Sequence, residues 1–239
     1  MMLRFVWCLT LVLGVKATLA PFIKPCKPGD TPCIQASAQA AIPFIAAGIP
    51  ELGVKPLDPL KLDTIESNQA GLSLIFRDNT VTGLKGCTIE SIRHQLNKGK
   101  QVLILKCNVD MVGNYNLSGQ LLIFPVRGEG KYKIKIRDIV IKTTSQIVTV
   151  DGADGKKHWH VDSWNYASDV KTNANFNFEN LFNGNRILAA PVEGFLNTNW
   201  HEVMKEIAPP IVRAIVSEVV NDVESLYKAV PAEELELTQ

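Results

Sequence analysis

Net charge, histidine and cysteine are all scarce in this sequence, and each shortage removes a class of function. Lys and Arg number 25 against 24 Asp and Glu, a formal charge of +1. So even a balance gives no electrostatic footprint for nucleic acid and no strong pull toward anionic lipid. Four histidines and the absence of zinc-type Cys/His spacing leave no built metal site. After the N-terminal segment no apolar run reaches spanning length, so no stable membrane anchor is expected. Internal repeats and low-complexity blocks are also missing.

Catalytic signatures are present only as near misses. His201-Glu-Val-Met-Lys205 begins like a metalloprotease helix but lacks the second histidine. Gly71-Leu-Ser-Leu-Ile75 lacks the second glycine of a nucleophile elbow. Gly128-Glu-Gly130 is not followed by a phosphate-cradling helix and reads as a hairpin turn. His158, His160 and Asp162 alternate along a strand; the trio reads as a wet face, with Trp159 and Val161 inside, rather than a metal site. Carboxylates stand singly, with no pair set up for acid–base work. The expectation is a binder with no catalytic residue, no metal and no cofactor.

What the chain does have begins with an export signal. Arg4 supplies a positive n-region, Phe5–Val15 is an apolar h-region, and small residues offer cleavage after Ala17 or Ala20. Residues 1–20 are read as the signal and 21–239 as one secreted, extracellular domain, long enough to bury a core. Export makes the remaining cysteines readable as disulfides. Cys26 and Cys33 enclose a turn-rich Lys-Pro-Gly-Asp-Thr-Pro loop and are paired. Cys87 and Cys107 lie on neighbouring antiparallel segments, but the simplest register around Lys98-Gly99 leaves them offset, so their pairing stays open. Asn116-Leu-Ser118 is a glycosylation sequon whose use depends on exposure.

Periodicity then divides the chain. From Asn199 to Lys228 apolar residues recur in steps of three and four, giving one broad apolar helix face. Asn199 with Glu202 resembles a capping box, Glu224 and Lys228 form an i,i+4 pair, and Pro209-Pro210 predicts a kink or two abutting helices. An earlier Ala-rich helix is capped at Asp30 or Thr31, opens on Pro32 and ends at Gly48, with Ile34, Ile42, Phe44 and Ile45 on its apolar side. A Pro-punctuated extended connector follows to Leu60. Between Leu60 and Phe178 the period is two, as in strands with one dry face, with turns expected at Lys98-Gly99, at 127–130 and at 151–155. The acidic tail after Lys228 reads as frayed. The class is α+β: a long, strongly curved antiparallel sheet wrapped around a long C-terminal helix, so that each covers the other's apolar face. The inward residues form one apolar set. On the strands these are Leu72, Leu74 and Phe76, then Leu103, Leu105 and Met111, then Phe124, Ile134, Ile136, Phe176 and Phe178. On the helix they are Trp200, Val203, Met204, Ile207, Ile211 and Ile215.

In their order, several short stretches resemble the secreted insect takeout and juvenile hormone binding protein family. They are the Cys26/Cys33 pair opening a helix, Gly48-Ile-Pro-Glu-Leu-Gly-Val-Lys-Pro-Leu-Asp-Pro-Leu60, and Gly113-Asn-Tyr-Asn-Leu-Ser-Gly119 leading into Leu121-Leu-Ile-Phe-Pro125. Leu181-Phe-Asn-Gly-Asn185 and Phe195-Leu-Asn-Thr-Asn-Trp200 complete the series. The resemblance covers nearly the whole mature chain. It implies a tubular lipid-binding fold enclosing a hydrophobic tunnel, for which the inward residues named above are the lining candidates, and a carrier of small hydrophobic ligands: juvenile hormone, another terpenoid, a quinone or a fatty acid. Hormone-binding members carry a second disulfide joining later parts of the fold, whereas the further cysteines here are both early, which points to the broader takeout group. The alternative is an interaction protein, its tunnel filled by side chains, with a receptor or membrane as partner.

Overall fold

The computed structural model describes residues 19–69, 71–95 and 98–237. All but the end of the expected signal segment lies outside them. The chain begins with helix α1 (Thr31–Ala47). Asp30 caps it, accepting the Cys33 N–H at 3.1 Å, and it ends at Gly48 with φ 85°. Seven strands follow: β1 (Leu60–Leu62), β2 (Ile65–Gln69), β3 (Leu72–Thr82), β4 (Thr88–Gln95), β5 (Lys100–Leu121), β6 (Phe124–Asp151) and β7 (Lys157–Phe178). Helices α2 (Arg186–Thr198), α3 (Trp200–Ala229) and α4 (Ala232–Leu235) close the chain.

The sheet is antiparallel throughout, in the order β1-β3-β5-β6-β7. β2 joins the free edge of β3 beyond β1, and β4 joins β5 where β3 ends. Laid straight, the 28 residues of β6 would run roughly 90 Å. α3, at 30 residues, is roughly 45 Å long, so the sheet must bend to cover it. A row of bulges supplies the bend, at Cys107/Val109 on β5 and Arg137/Ile139 on β6, continuing into β7. Asn108 Oδ1 accepts the Asp138 N–H there at 2.8 Å, and Thr172 donates to the Asp138 carboxylate. The inner faces of β3, β5 and β6 (Leu74, Phe76, Met111, Ile134) meet the α3 stripe of Val203, Ile207 and Ile211 in one buried cluster.

Several expectations are corrected. The β5–β6 hairpin turns at Leu122-Ile123, not at 127–130, which lies inside β6 paired with β5. Gly128 and Gly130 serve close approach instead: a Cβ on Gly128 would stand 2.7 Å from Tyr115 Oη, and one on Gly130 2.7 Å from the Glu179 carbonyl. The turns at Lys98-Gly99 and after Asp151 stand where expected. No capping box forms at Asn199, because α2 ends immediately before it. Asn199 turns both its backbone N–H and its side-chain amide to the Phe195 carbonyl, and Glu202 pairs with Lys205. α3 does not divide at Pro209-Pro210. Glu224 turns away from Lys228 to accept from β7, on the Val161 N–H at 2.8 Å and facing His160 Nδ1 at 2.6 Å. Phe44 lies outside the core, 52% exposed, stacked on Phe22. The tail is docked: Leu235 is buried, the Leu237 N–H donates to the Cys26 carbonyl at 2.9 Å, and Lys156 holds Glu233 at 2.7 Å.

Candidate ligand-binding cavity

Buried apolar residues form two clusters. One is the sheet–α3 core; the other gathers Ala20, Leu52, Val54, Trp159, Tyr227 and Leu235 near the C-terminal end of α3. A cavity of about 230 Å³ borders both. α1 walls it with Ile34, Ala38, Ala41, Ile42 and Ile45; β4 and β5 with Ile89, Ile92, Leu103 and Leu105; α3 with Val219, Val223 and Leu226. The alanines explain the void: α1 lies across the groove with methyl groups where bulkier side chains would fill it. It is held there by glutamines that satisfy the open edge of β4. Gln39 accepts the Ile89 N–H at 2.7 Å and donates to the Cys87 carbonyl at 3.1 Å, while Gln35 donates to the Ile89 carbonyl at 2.9 Å. Ser37 binds both backbone groups of Lys24, each at 2.8 Å.

One end of the cavity is polar. His94 and Gln101 are register partners on β4 and β5, and the Gln101 amide donates to Tyr227 Oη at 3.4 Å. Trp159 packs edge-on against the His94 ring at 4.7 Å and the Tyr227 ring at 5.3 Å. Burial pulls the His94 pKa down to about 4, so the ring is neutral at physiological pH, and burial pushes the Tyr227 hydroxyl up.

Of the sequence candidates, Leu103 and Leu105 stand on the wall of this cavity. Leu72, Leu74, Phe76, Met111, Ile134 and Ile136 sit in the sheet–α3 core, as do Phe176, Phe178, Val203, Met204, Ile207, Ile211 and Ile215. Phe124 and Trp200 pack partly buried against that core. The alanine face of α1, Ile89, Ile92, the last turns of α3 and the His94–Gln101–Tyr227 end complete the wall and lie outside the set of lining candidates. Both disulfides are formed, with Cα–Cα separations of 5.8 Å for Cys26–Cys33 and 4.4 Å for Cys87–Cys107. Cys26 and Cys87 lie on the cavity wall.

The near-miss signatures come apart. His201 is exposed beside Trp200. His158 is buried together with Trp159, rather than on a wet face, because the end of α3 packs over it: Nδ1 lies 3.2 Å from the Tyr227 carbonyl and Nε2 3.1 Å from Asp154. His160 faces Glu224, and Asp162 is exposed. Among the described residues no group of three His, Cys, Asp or Glu is placed to hold a metal. None of the described helices is long and apolar enough to cross a membrane. Asn116 stands partly exposed in mid-β5, its amide 3.4 Å from Glu129.

A curved antiparallel sheet thus wraps a long helix and leaves an apolar cavity at one end. The sequence profile of haemolymph juvenile hormone binding protein matches residues 6–236. The fold matches the crystal structure of Takeout 1 from Epiphyas postvittana with a TM-score of 0.88 and 30% identity, covering 90% of this chain and 100% of that one. Circadian clock-controlled protein daywake of Drosophila melanogaster is 26% identical over 224 residues, 89% of this chain and 86% of the relative. Juvenile hormone-binding protein of Manduca sexta is 29% identical over 91 residues, 37% of this chain and 39% of the relative. The chain belongs to the takeout and haemolymph juvenile hormone binding protein family, whose members are binding proteins for hydrophobic ligands.

Proposed function

We propose that this protein is a secreted, non-catalytic carrier that holds one small hydrophobic molecule between α1, β4–β5 and the last turns of α3. The ligand class is a terpenoid such as juvenile hormone, a quinone or a fatty acid. The observation that carries the reading is the cavity itself, whose wall is mostly aliphatic. Each CH₂ a ligand buries there contributes about 0.8 kcal/mol, enough for tight retention without a charged contact. Its volume, about 230 Å³, exceeds the roughly 150 Å³ that admits benzene in an engineered apolar cavity. It falls short of the ~300 Å³ at which drug-sized pockets begin, so a longer ligand extends beyond it or widens it.

The export signal is part of the same proposal. Ala20 is 2% exposed within the second cluster, and the Leu19 N–H donates to Glu234 at 2.8 Å. Cleavage after Ala17 keeps both contacts and cleavage after Ala20 removes both, so N-terminal sequencing of the secreted protein should begin at Thr18; a start at Pro21 would contradict this.

The second reading, an interaction protein with a filled interior and a receptor or membrane partner, draws on the tight sheet–α3 core. Thermal shift separates the two. A ligand at a hundred times its Kd adds about 2.7 kcal/mol, or roughly 5–10 °C for a chain this size. No shift with any terpenoid, quinone or fatty acid would leave the interaction reading.

A further inference from the structure

The polar end of the cavity has hydrogen-bonding capacity that the protein itself does not use. Among the described residues, two buried side-chain polar atoms lack any partner, His94 Nε2 and Asp222 Oδ2. Of the two residues, His94 lines the cavity. Its register partner Gln101 lines it too, as does Tyr227, which receives the Gln101 amide. Tyr227 Oη is thereby an acceptor, and no described group accepts its own hydrogen. A buried nitrogen without a partner costs free energy that a ligand atom can recover.

We propose that His94, Gln101 and Tyr227 form a headgroup site that takes one neutral oxygen function (a hydroxyl, carbonyl or ester) at the end of an otherwise apolar ligand, and that disfavours a free carboxylate. The inference rests on the carrier reading and adds the ligand's polar end and its orientation. A neutral imidazole suits such a group, because Nε2 donates to a carbonyl oxygen in one tautomer and accepts from a hydroxyl in the other. With its pKa at about 4, His94 stays neutral and supplies no counter-charge for an anion. The other ionisable groups on the wall, besides Tyr227, are Lys24 and Glu236. Lys24 is exposed, its backbone tied to Ser37. Burial pushes the Glu236 carboxyl up, which marks a place already unfavourable for negative charge. Burying a carboxylate there without a dedicated cation is costly.

Orientation follows from the same residues. His94, Trp159 and Glu236 also line an outer cleft beside α4, together with Gly29 and three exposed lysines: Lys98, Lys156, which is held by Glu233, and Lys157, which is held by Asp151. The headgroup site therefore stands where cavity and cleft meet. The oxygen end faces the cleft, and the hydrocarbon runs inward along Ala41, Ile45 and Leu57.

The test measures octane, octanol and octanoate binding at neutral pH to the wild-type chain and to His94→Phe and Tyr227→Phe. Octanol affinity should fall about five- to tenfold in each variant, the worth of one net hydrogen bond. Octane should bind the variants as well as it binds wild type, or better, and wild type should prefer octanol to octanoate. Unchanged octanol affinity in both variants, equal losses for octane and octanol, or a preference for octanoate would overturn the headgroup site while the carrier reading stands. Failure of all three to bind wild type would overturn both.

Discussion

Tyr132 donates its hydroxyl to Asn79 Oδ1 at 2.6 Å, and Asn79 has no exposed surface at all. The Asn79 amide nitrogen donates in turn to the Asp63 carbonyl at 2.6 Å, with the Leu62 and Phe76 carbonyls at 3.4 and 3.3 Å. One side chain thus ties the β1–β2 link and the irregular centre of β3 to β6, across β5. Tyr132→Phe leaves a buried acceptor unpaired and should destabilise the fold by about 1–3 kcal/mol in chemical denaturation. A loss below about 0.5 kcal/mol, the size of an ordinary surface change, would show that the network contributes little.

Breaking the second disulfide should cost more. Cys87 and Cys107 are separated by 20 residues in sequence, and closing a loop of that length is worth about 3 kcal/mol. The double Cys87→Ser, Cys107→Ser chain should melt roughly 6–12 °C lower. Because Cys87 lies on the cavity wall, ligand affinity should fall with it. An unchanged melting temperature would contradict the assignment.

Asp222 makes a prediction about pH. The residue is 3% exposed, Oδ1 accepts the Lys55 N–H at 3.1 Å, and Oδ2 has no partner. Desolvation raises its pKa, against the weaker opposite effect of the Lys55 hydrogen bond. A carboxyl with a raised folded pKa binds more protons folded than unfolded. Its contribution is complete below the unfolded value of about 3.9 and is lost as pH rises through the folded pKa. Asp222→Asn keeps an acceptor for Lys55 and removes the charge. The variant should therefore be the more stable one at neutral pH, with the advantage shrinking as pH falls toward the unfolded value. A variant less stable than wild type at neutral pH would show that the carboxylate has a partner after all.

Ala41 tests the location of the ligand. It is 3% exposed and faces the cavity from α1. Ala41→Phe should fill the void and cut apolar ligand affinity by about tenfold or more, with an overpacking cost to stability of no more than about 1–3 kcal/mol. Unchanged ligand affinity in a folded variant would move the site elsewhere.

The elements were legible because their periods are long. The α3 stripe, the alternation of Tyr132, Ile134 and Ile136 on β6, and the Asp30 cap of α1 each follow from local rules that the tertiary structure does not override. The misses have local causes too. Leu122 takes φ 54° in the β5–β6 turn without being glycine or asparagine, while Gly128 and Gly130, which look like turn residues, are spent on contacts with Leu181 and Glu179. The Cys87–Cys107 pairing depends on a one-residue register shift between Ile89 and Ser91. Without it Cys87 would face Asn108, and composition carries no trace of the shift. Tunnel wall and packed core share one apolar pattern, so candidates such as Phe76 and Ile207 could not be told from wall residues. The better signal was the alanine content of α1, a helix too small in side-chain volume to fill the groove it covers.

The most direct test of the carrier account is native mass spectrometry of the protein secreted from insect cells, with organic extraction and identification of what is released. The account predicts one apolar molecule per chain, bearing a neutral oxygen at one end, and its absence from the Ala41→Phe variant. An empty wild-type protein that also takes up no terpenoid, quinone or fatty acid when these are supplied would contradict it.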